Sequence, residues 1–287
     1  MPDENRTALV LGAVKGIGKG IAMDLARQGI RVAATWFDWE ESLPDLEKDM
    51  ATIGIPHLIV QTNLLDASAI HTTVRSVAET FGGIDILINN IERGGWPVVH
   101  GPYTEFQWDL EMATTLRAKR WVFDAALPWL RQSENACVIN LSSIAALIGR
   151  SGPADRFFND GYAAANRGIG ILTETWARMG APGIRVNELM LGFIETRHGP
   201  DTRGWGLLSA EEKNALTRHT LCNRTGTIAD VTRAVNFILN DAPFMTGATI
   251  RLDGGYVLGG ASVGEMPKGE SDVREEMKKP AKGMAID

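Results

Sequence analysis

The sequence predicts an α/β fold, a single domain built on one doubly wound, mainly parallel sheet of seven strands, and three observations carry that prediction. Short apolar runs alternate with longer amphipathic stretches along most of the 287 residues. The runs are hydrophobic throughout rather than on alternate residues, as strands covered on both faces of a parallel sheet must be. Their spacing leaves room for a helix between successive strands, which makes each connection a right-handed crossover.

The elements follow in order. "TALVLG" (7–12) reads as a buried strand, with a helix after it from about Gly18 to Gln28. "RVAATW" (31–36) is a second strand, and the charged "DWEESLPDLEKDMATIG" behind it reads as helical. Further strands are "HLIVQTN" (57–63), "IDILINN" (84–90), "ACVINLSS" (136–143), "IRVNELML" (184–191) and "ATIRLDGG" (248–255). Ser142 and Ser143 close the fifth of the seven strands, and Tyr162 falls in the helix that follows. No linker or internal repeat interrupts this series, so residues 1–256 are expected to form one domain. Residues 257–287, rich in Gly, Lys and Glu, are expected to form an extension that is flexible or wraps a partner.

Composition narrows the function classes. The chain is 44% hydrophobic and 22% charged, ordinary for a globular protein with a sizeable core. A formal net charge of −6 carries no basic footprint for nucleic acid. Cys137 and Cys222 are far apart, with no CxxC or Cys/His cluster, which suggests a reducing compartment and no disulfide framework. His100, His198 and His219 have no metal-ligand spacing, and no metal is expected. The first residues lack a signal-peptide pattern and no apolar run reaches membrane-spanning length, so a cytoplasmic location is expected.

"LVLGAVKGIGKG" sets Gly12, Gly16 and Gly18 between the first strand and the first helix. Glycines at those points allow a tight turn, a close backbone approach to a pyrophosphate, and packing of helix on strand. The N–H groups of the helix start then favour an anion. The plain alternative is an ordinary strand–helix turn. Asp38 comes slightly late for the acid that would hold an adenosine ribose, whereas Lys15 could neutralise a 2′-phosphate. NADP is therefore preferred over NAD, with solvated charges as the alternative reading of both residues.

"GAVKGIG", "INN" (88–90), "INLSS" (139–143), "YAAAN" (162–166), "GIRVNELMLGFIET" (183–196) and "TGATIRLDGG" (246–255) occur in the order and spacing that resembles the short-chain dehydrogenase/reductase family, from about residue 6 to 256. The resemblance implies a Rossmann-type sheet, a nicotinamide cofactor across the strand ends, a small-molecule carbonyl or alcohol substrate, and a homodimer or homotetramer built on two long helices. It implies cofactor contacts from Gly12, Lys15, Gly16, Ile17 and Gly18, from Asn63 and Leu64 after the third strand, and from Asn89 and Thr196. It implies Tyr162 as the acid/base and Ser143 as the group orienting the substrate oxygen. Alignment through "ALP" (126–128) puts Thr115 where the family has an asparagine, and Asn166 stands where it has a lysine.

Other departures are Ile91 and Glu92 in place of two small residues, Asn63 in place of an acid, and Leu191 in place of a proline. Without a cation four residues on, Tyr162 is expected to titrate near the unperturbed tyrosine value of about 10, so phenolate is scarce at pH 7. Donating a proton to a developing alkoxide remains feasible. The residues therefore favour carbonyl reduction over alcohol oxidation, with Asn166 left to hydrogen-bond a ribose hydroxyl. Arg167 and Lys119 are the nearby cations that could substitute. Trp96 and Trp205 could wall an aromatic substrate, with His100, Tyr103, Arg197, His198 and Arg203 nearby. Two alternatives stay open: non-redox lyase, isomerase or dehalogenase-like chemistry with the same serine and tyrosine, and a non-catalytic nucleotide-binding subunit.

Overall fold

The computed structural model describes residues 6–91, 104–155, 157–196 and 208–266. Strand and helix alternate as β1 (Thr7–Val10), α1 (Gly16–Arg27), β2 (Arg31–Trp36), α2 (Leu43–Ile53), β3 (His57–Gln61), α3 (Ala67–Phe81) and β4 (Ile86–Asn89). Then come α4 (Glu105–Glu111), a π-helical stretch (Met112–Arg117) running into α5 (Ala118–Leu130), β5 (Ala136–Ser143), the short α6 (Ala145–Ile148) and α7 (Asp160–Gly180). The chain continues through β6 (Ile184–Leu191), α8 (Ala210–His219), α9 (Ile228–Asn236) and β7 (Thr249–Leu252).

The seven strands form one sheet in the order β3-β2-β1-β4-β5-β6-β7, and every paired neighbour is parallel. The order reverses between β1 and β4, and the crevice outside the carboxyl ends at such a reversal is where open α/β sheets bind ligands. All of β1, β4 and β5 is buried, because helices cover both faces. On one face α1, α2 and α9 pack Ile21, Leu25, Leu46, Val231 and Val235 against Val10, Ile88 and Ile139. On the other, α3, α5 and α7 pack Val77, Phe123, Leu130 and Trp176 against Leu9, Leu87 and Val138. The rings of Phe123 and Trp176 stack at 4.4 Å and clamp α5 to α7.

The fourth strand is shorter than the apolar run 84–90 suggests. Asn90 leaves the ladder, and its amide donates instead to the carbonyl oxygens of Leu11 (3.3 Å) and Gly12 (3.1 Å). The π-helical stretch was not foreseen; no periodicity distinguishes one inserted residue in an amphipathic helix. Among the described residues no helix is long and apolar enough to cross a membrane, and no group of His, Cys, Asp and Glu could hold a metal ion.

Burial pushes the Cys137 thiol up to about 11, against a smaller opposing pull from Arg185 and Arg6, while Cys222 is exposed. Thiolate is the reactive form, so a disulfide reagent at pH 8 should modify Cys222 alone in the native protein. Cys137 should react only after unfolding in guanidinium; rapid modification of both in the native state would contradict the buried site.

Candidate active site

The loop after β1 is held from two sides. Thr35, at the end of β2, accepts from Gly12 N through Oγ1 (3.3 Å) and from Ala13 N through its carbonyl (2.8 Å). Asn90 closes the other side. A Cβ at Gly12, where φ is +62°, would lie 2.5 Å from the Asn90 carbonyl oxygen. A Cβ at Gly18 would collide with the Gly12 carbonyl oxygen and sit 2.5 Å from Asn90 Nδ2. Glycine is therefore required at both positions. Asn90 escaped the sequence reading, although it is the second asparagine of the quoted "INN".

Beyond this turn α1 starts at Gly16 with no side chain capping its first N–H groups and no acid in its first turn. The helices α3, α4, α7, α8 and α9 all carry a capping side chain, from Asp66, Thr104, Asn159, Ser209 and Thr227. An uncapped start behind a glycine turn presents N–H donors and the positive end of the helix dipole to an anion. The glycine turn and this bare helix start suit a pyrophosphate. Thr196, following β6, lies across the loop, its Cβ 3.7 Å from where a Cβ on Gly16 would be. Ile17 is half-buried against the α1 core. At the β2 end the Lys15 ammonium stands 2.9 Å over the ring centroid of Trp39.

Three expected cofactor contacts have other tasks in the fold. Asn89 is wholly buried, and its amide donates to Asn140 Oδ1 (2.7 Å), whose own amide donates to Thr173 on α7 (2.9 Å). It ties β4 to β5, and its Oδ1 is buried without a hydrogen-bond partner. Asn63 Oδ1 accepts from Leu65 N at 3.0 Å, shaping the turn into α3, and Leu64 packs on the core beneath α3 and α5. Ile91 packs on that same core.

Ser143 and Tyr162 lie at the end of β5 and the start of α7, hence on the same, carboxyl edge of the sheet. The Ser143 hydroxyl accepts from Ala145 N at 3.2 Å and keeps its proton to donate. Tyr162 is 6% exposed, and its backbone N–H caps onto Asn159 Oδ1 at 2.6 Å. Its ring faces Phe158 at 5.8 Å; Phe158 stacks on Phe193 at 5.7 Å, and Phe193 meets Tyr256 edge-on at 4.9 Å. Neither phenylalanine was singled out from sequence. Trp96, Trp205, Glu92, His100, Tyr103, Arg197, His198 and Arg203 lie outside the described residues.

Asn166 and Thr115 differ most from expectation. Asn166 does share Tyr162's buried face one turn on, but its amide donates to the Tyr162 backbone carbonyl (3.0 Å), and its Oδ1 is buried without a hydrogen-bond partner. Asn166 is wholly buried, and a short side chain on this helix reaches the preceding turn first. Thr115, also wholly buried, donates to Glu111 Oε1 at 3.1 Å. Arg167 is exposed, whereas Lys119 is 1% exposed and donates to the Leu141 carbonyl at 2.8 Å.

The fold and this edge define a nucleotide-binding α/β enzyme. A family model described as enoyl-(acyl carrier protein) reductase matches residues 12–257. The chain is 30% identical over 257 residues to the 3-oxoacyl-(acyl-carrier-protein) reductase FabG of Staphylococcus aureus, covering 88% of this chain and 98% of the relative. It is 31% identical over 261 residues to the FabG of Thermotoga maritima, covering 89% and 99%. A solved structure described as a putative short-chain alcohol dehydrogenase from Sinorhizobium meliloti superposes with a TM-score of 0.78 at 27% identity, covering 88% of this chain and 97% of the other. The chain belongs to the short-chain dehydrogenase/reductase family and is an NAD(P)-dependent short-chain oxidoreductase.

Gly12→Ala combines an unfavourable φ with a clash against backbone. It should weaken NAD(P)H binding at least tenfold in a tryptophan-fluorescence titration and cost about 1–3 kcal/mol of stability. Unchanged binding would remove the loop from the cofactor site.

Proposed function

We propose that the protein reduces a ketone or aldehyde at the expense of NADPH, with Tyr162 as proton donor and Ser143 orienting the carbonyl oxygen. The observation that carries this reading is the convergence of β5 and α7 on one sheet edge, beside the glycine turn and Thr196. A nicotinamide coenzyme held by the glycine turn and Thr196 would supply the hydride for the carbonyl carbon. Ser143, whose oxygen already accepts from Ala145 N, donates its remaining proton to the substrate oxygen and fixes where that oxygen sits. Tyr162 gives its phenolic proton to the same oxygen as negative charge develops there. A neutral phenol is the form this direction needs, which favours reduction over oxidation at neutral pH.

Phe158 lies against the Tyr162 ring and Phe193 stacks on Phe158, an apolar surface that supports a carbonyl compound carrying an apolar or planar substituent. For the coenzyme, Lys15 places a positive charge at the end of β2 that suits a 2′-phosphate better than a bare ribose. Exposed Phe106 on α4 and Ile171 on α7 are the surface through which we expect a second copy to pair.

Tyr162→Phe should lower kcat for carbonyl reduction by about 10²–10⁴ while NADPH still binds. A variant that keeps its rate would exclude Tyr162 as donor. Lys15→Ala should raise the Kd for NADPH about tenfold and leave that for NADH within about twofold, a contrast read by fluorescence titration. Equal losses for both coenzymes would remove the 2′-phosphate contact.

A further inference from the structure

We propose that Trp39 is a specificity-determining residue for the coenzyme, its indole holding the Lys15 ammonium at the carboxyl end of β2 and so favouring NADPH over NADH. The inference deepens the 2′-phosphate contact proposed above and rests on it.

The two residues leave a shared anchor from opposite sides. Thr35 accepts from Gly12 N and Ala13 N, which fixes the glycine turn to the end of β2. Thr62 N donates to the Trp36 carbonyl at 2.7 Å, which fixes that strand end to the end of β3. Lys15 follows Ala13 by two residues, in extended backbone (φ −153°, ψ 176°) immediately before α1. Its side chain makes no capping bond at the helix start and carries the ammonium 2.9 Å above the centroid of the Trp39 ring. Both residues are half-buried, so the contact is partly shielded from water.

Trp39 reaches that place at a conformational cost. Its φ of +71° and ψ of 49° lie in the left-handed region, where a bulky side chain crowds the following carbonyl. Among the described residues the other non-glycine residue with positive φ is Asn223, a type that tolerates it. Glycine would fit this turn without strain. Ser42 N donates to the Trp39 carbonyl at 2.9 Å and closes the single helical turn Glu40–Ser42, which holds the backbone in place. Strain of this kind concentrates at ligand sites. What tryptophan adds over glycine here is its side chain, and indole is the best aromatic face for an ammonium.

An indole face orients an ammonium without neutralising it. Lysine has three N–H donors, and one face-on contact leaves the others for oxygen acceptors, whether from the chain or from a phosphate. A lysine stem is flexible, so an ammonium already held near the end of β2 loses less freedom when a phosphate binds. In dinucleotide-binding sheets the chain about 20 residues beyond the glycine turn meets the adenosine ribose, and Trp39 stands in that stretch. Asp38 and Glu40, exposed on either side of it in sequence, repel a further anion. A cation held in place is what carries a preference for the phosphorylated coenzyme there.

The test is a binding experiment and needs no turnover. Calorimetry gives the Kd for NADPH and NADH, and for 2′,5′-ADP and 5′-AMP, fragments with and without the 2′-phosphate. Trp39→Ala should raise the Kd for NADPH and 2′,5′-ADP about fivefold and leave those for NADH and 5′-AMP within about twofold. Trp39→Phe, which keeps an aromatic face, should retain most of the preference, and Trp39→Leu, which keeps only bulk, should lose it. Trp39→Ala combined with Lys15→Ala should bind NADPH no more weakly than Lys15→Ala alone. A selective loss in Lys15→Ala with none in Trp39→Ala overturns the role of Trp39 and leaves the Lys15 contact standing. No selective loss in either variant removes both. Equal weakening of all the ligands by Trp39→Ala also overturns the proposal, because the indole would then serve the adenosine they share. If Trp39→Ala does not fold, Trp39→Gly decides by the same criterion, since glycine adopts these angles freely.

Discussion

The arrangement depends on one close approach, between the backbone of Gly12 and the residue that leaves β4, Asn90. Past Asn89 the ladder to β5 ends, and Asn90 turns its amide onto the carbonyls of Leu11 and Gly12. This contact holds β1 and β4 together at the point where the strand order reverses, so the crevice opens there. It also leaves no room for side chains at positions 12 and 18, which brings the first turn of α1 up to the loop. The uncapped first N–H groups of α1 are thereby brought up to the loop, an arrangement that suits an anion without any charged side chain.

Two buried polar chains carry that edge across to the catalytic elements. Asn89, Asn140 and Thr173 link β4 to β5 and β5 to α7. Ser142 and Thr249 both donate to Glu188, joining β5, β6 and β7, with α7 so near that a Cβ on Gly170 would lie 3.3 Å from the carboxylate. Buried polar groups bonded in this way favour one arrangement of strands and helix, since another would break these bonds, while the Asn89 Oδ1 stays buried without a partner. Ser142 and Ser143 illustrate the division of labour. Adjacent on one strand, they point to opposite faces; one joins the sheet network and the other accepts from Ala145 N at the start of α6.

The departures from the family pattern share a physical logic. Asn166 is too short to do more than bond its own helix, and the buried charge on this side of the sheet comes from Lys119, on a different helix. Glu111 and Thr115 are buried on the same helical run, Thr115 donating to Glu111. Between α6 and α7, Phe158 lies against the Tyr162 ring and Phe193 against Phe158, giving the phenol an apolar flank.

The sequence by itself determined the strands, because runs covered on both faces by helices are mostly apolar rather than alternating. β2, β5 and β6 end where their apolar runs do. It also determined the glycine turn, since only glycine tolerates those backbone angles and contacts, and it marked Ser143 and Tyr162 by their order along the chain. Only the tertiary structure decided what the short polar side chains do. Asn89 is a tie between strands, Asn90 a lock on the loop, and Asn166 a brace on its own helix, yet all three are the same residue type. Which of the two candidate cations is buried was likewise undecidable from spacing. Arg167 and Lys119 differ in the face their helices turn inward, and that face is set by a π-helical stretch and by packing against α7, which no local pattern encodes.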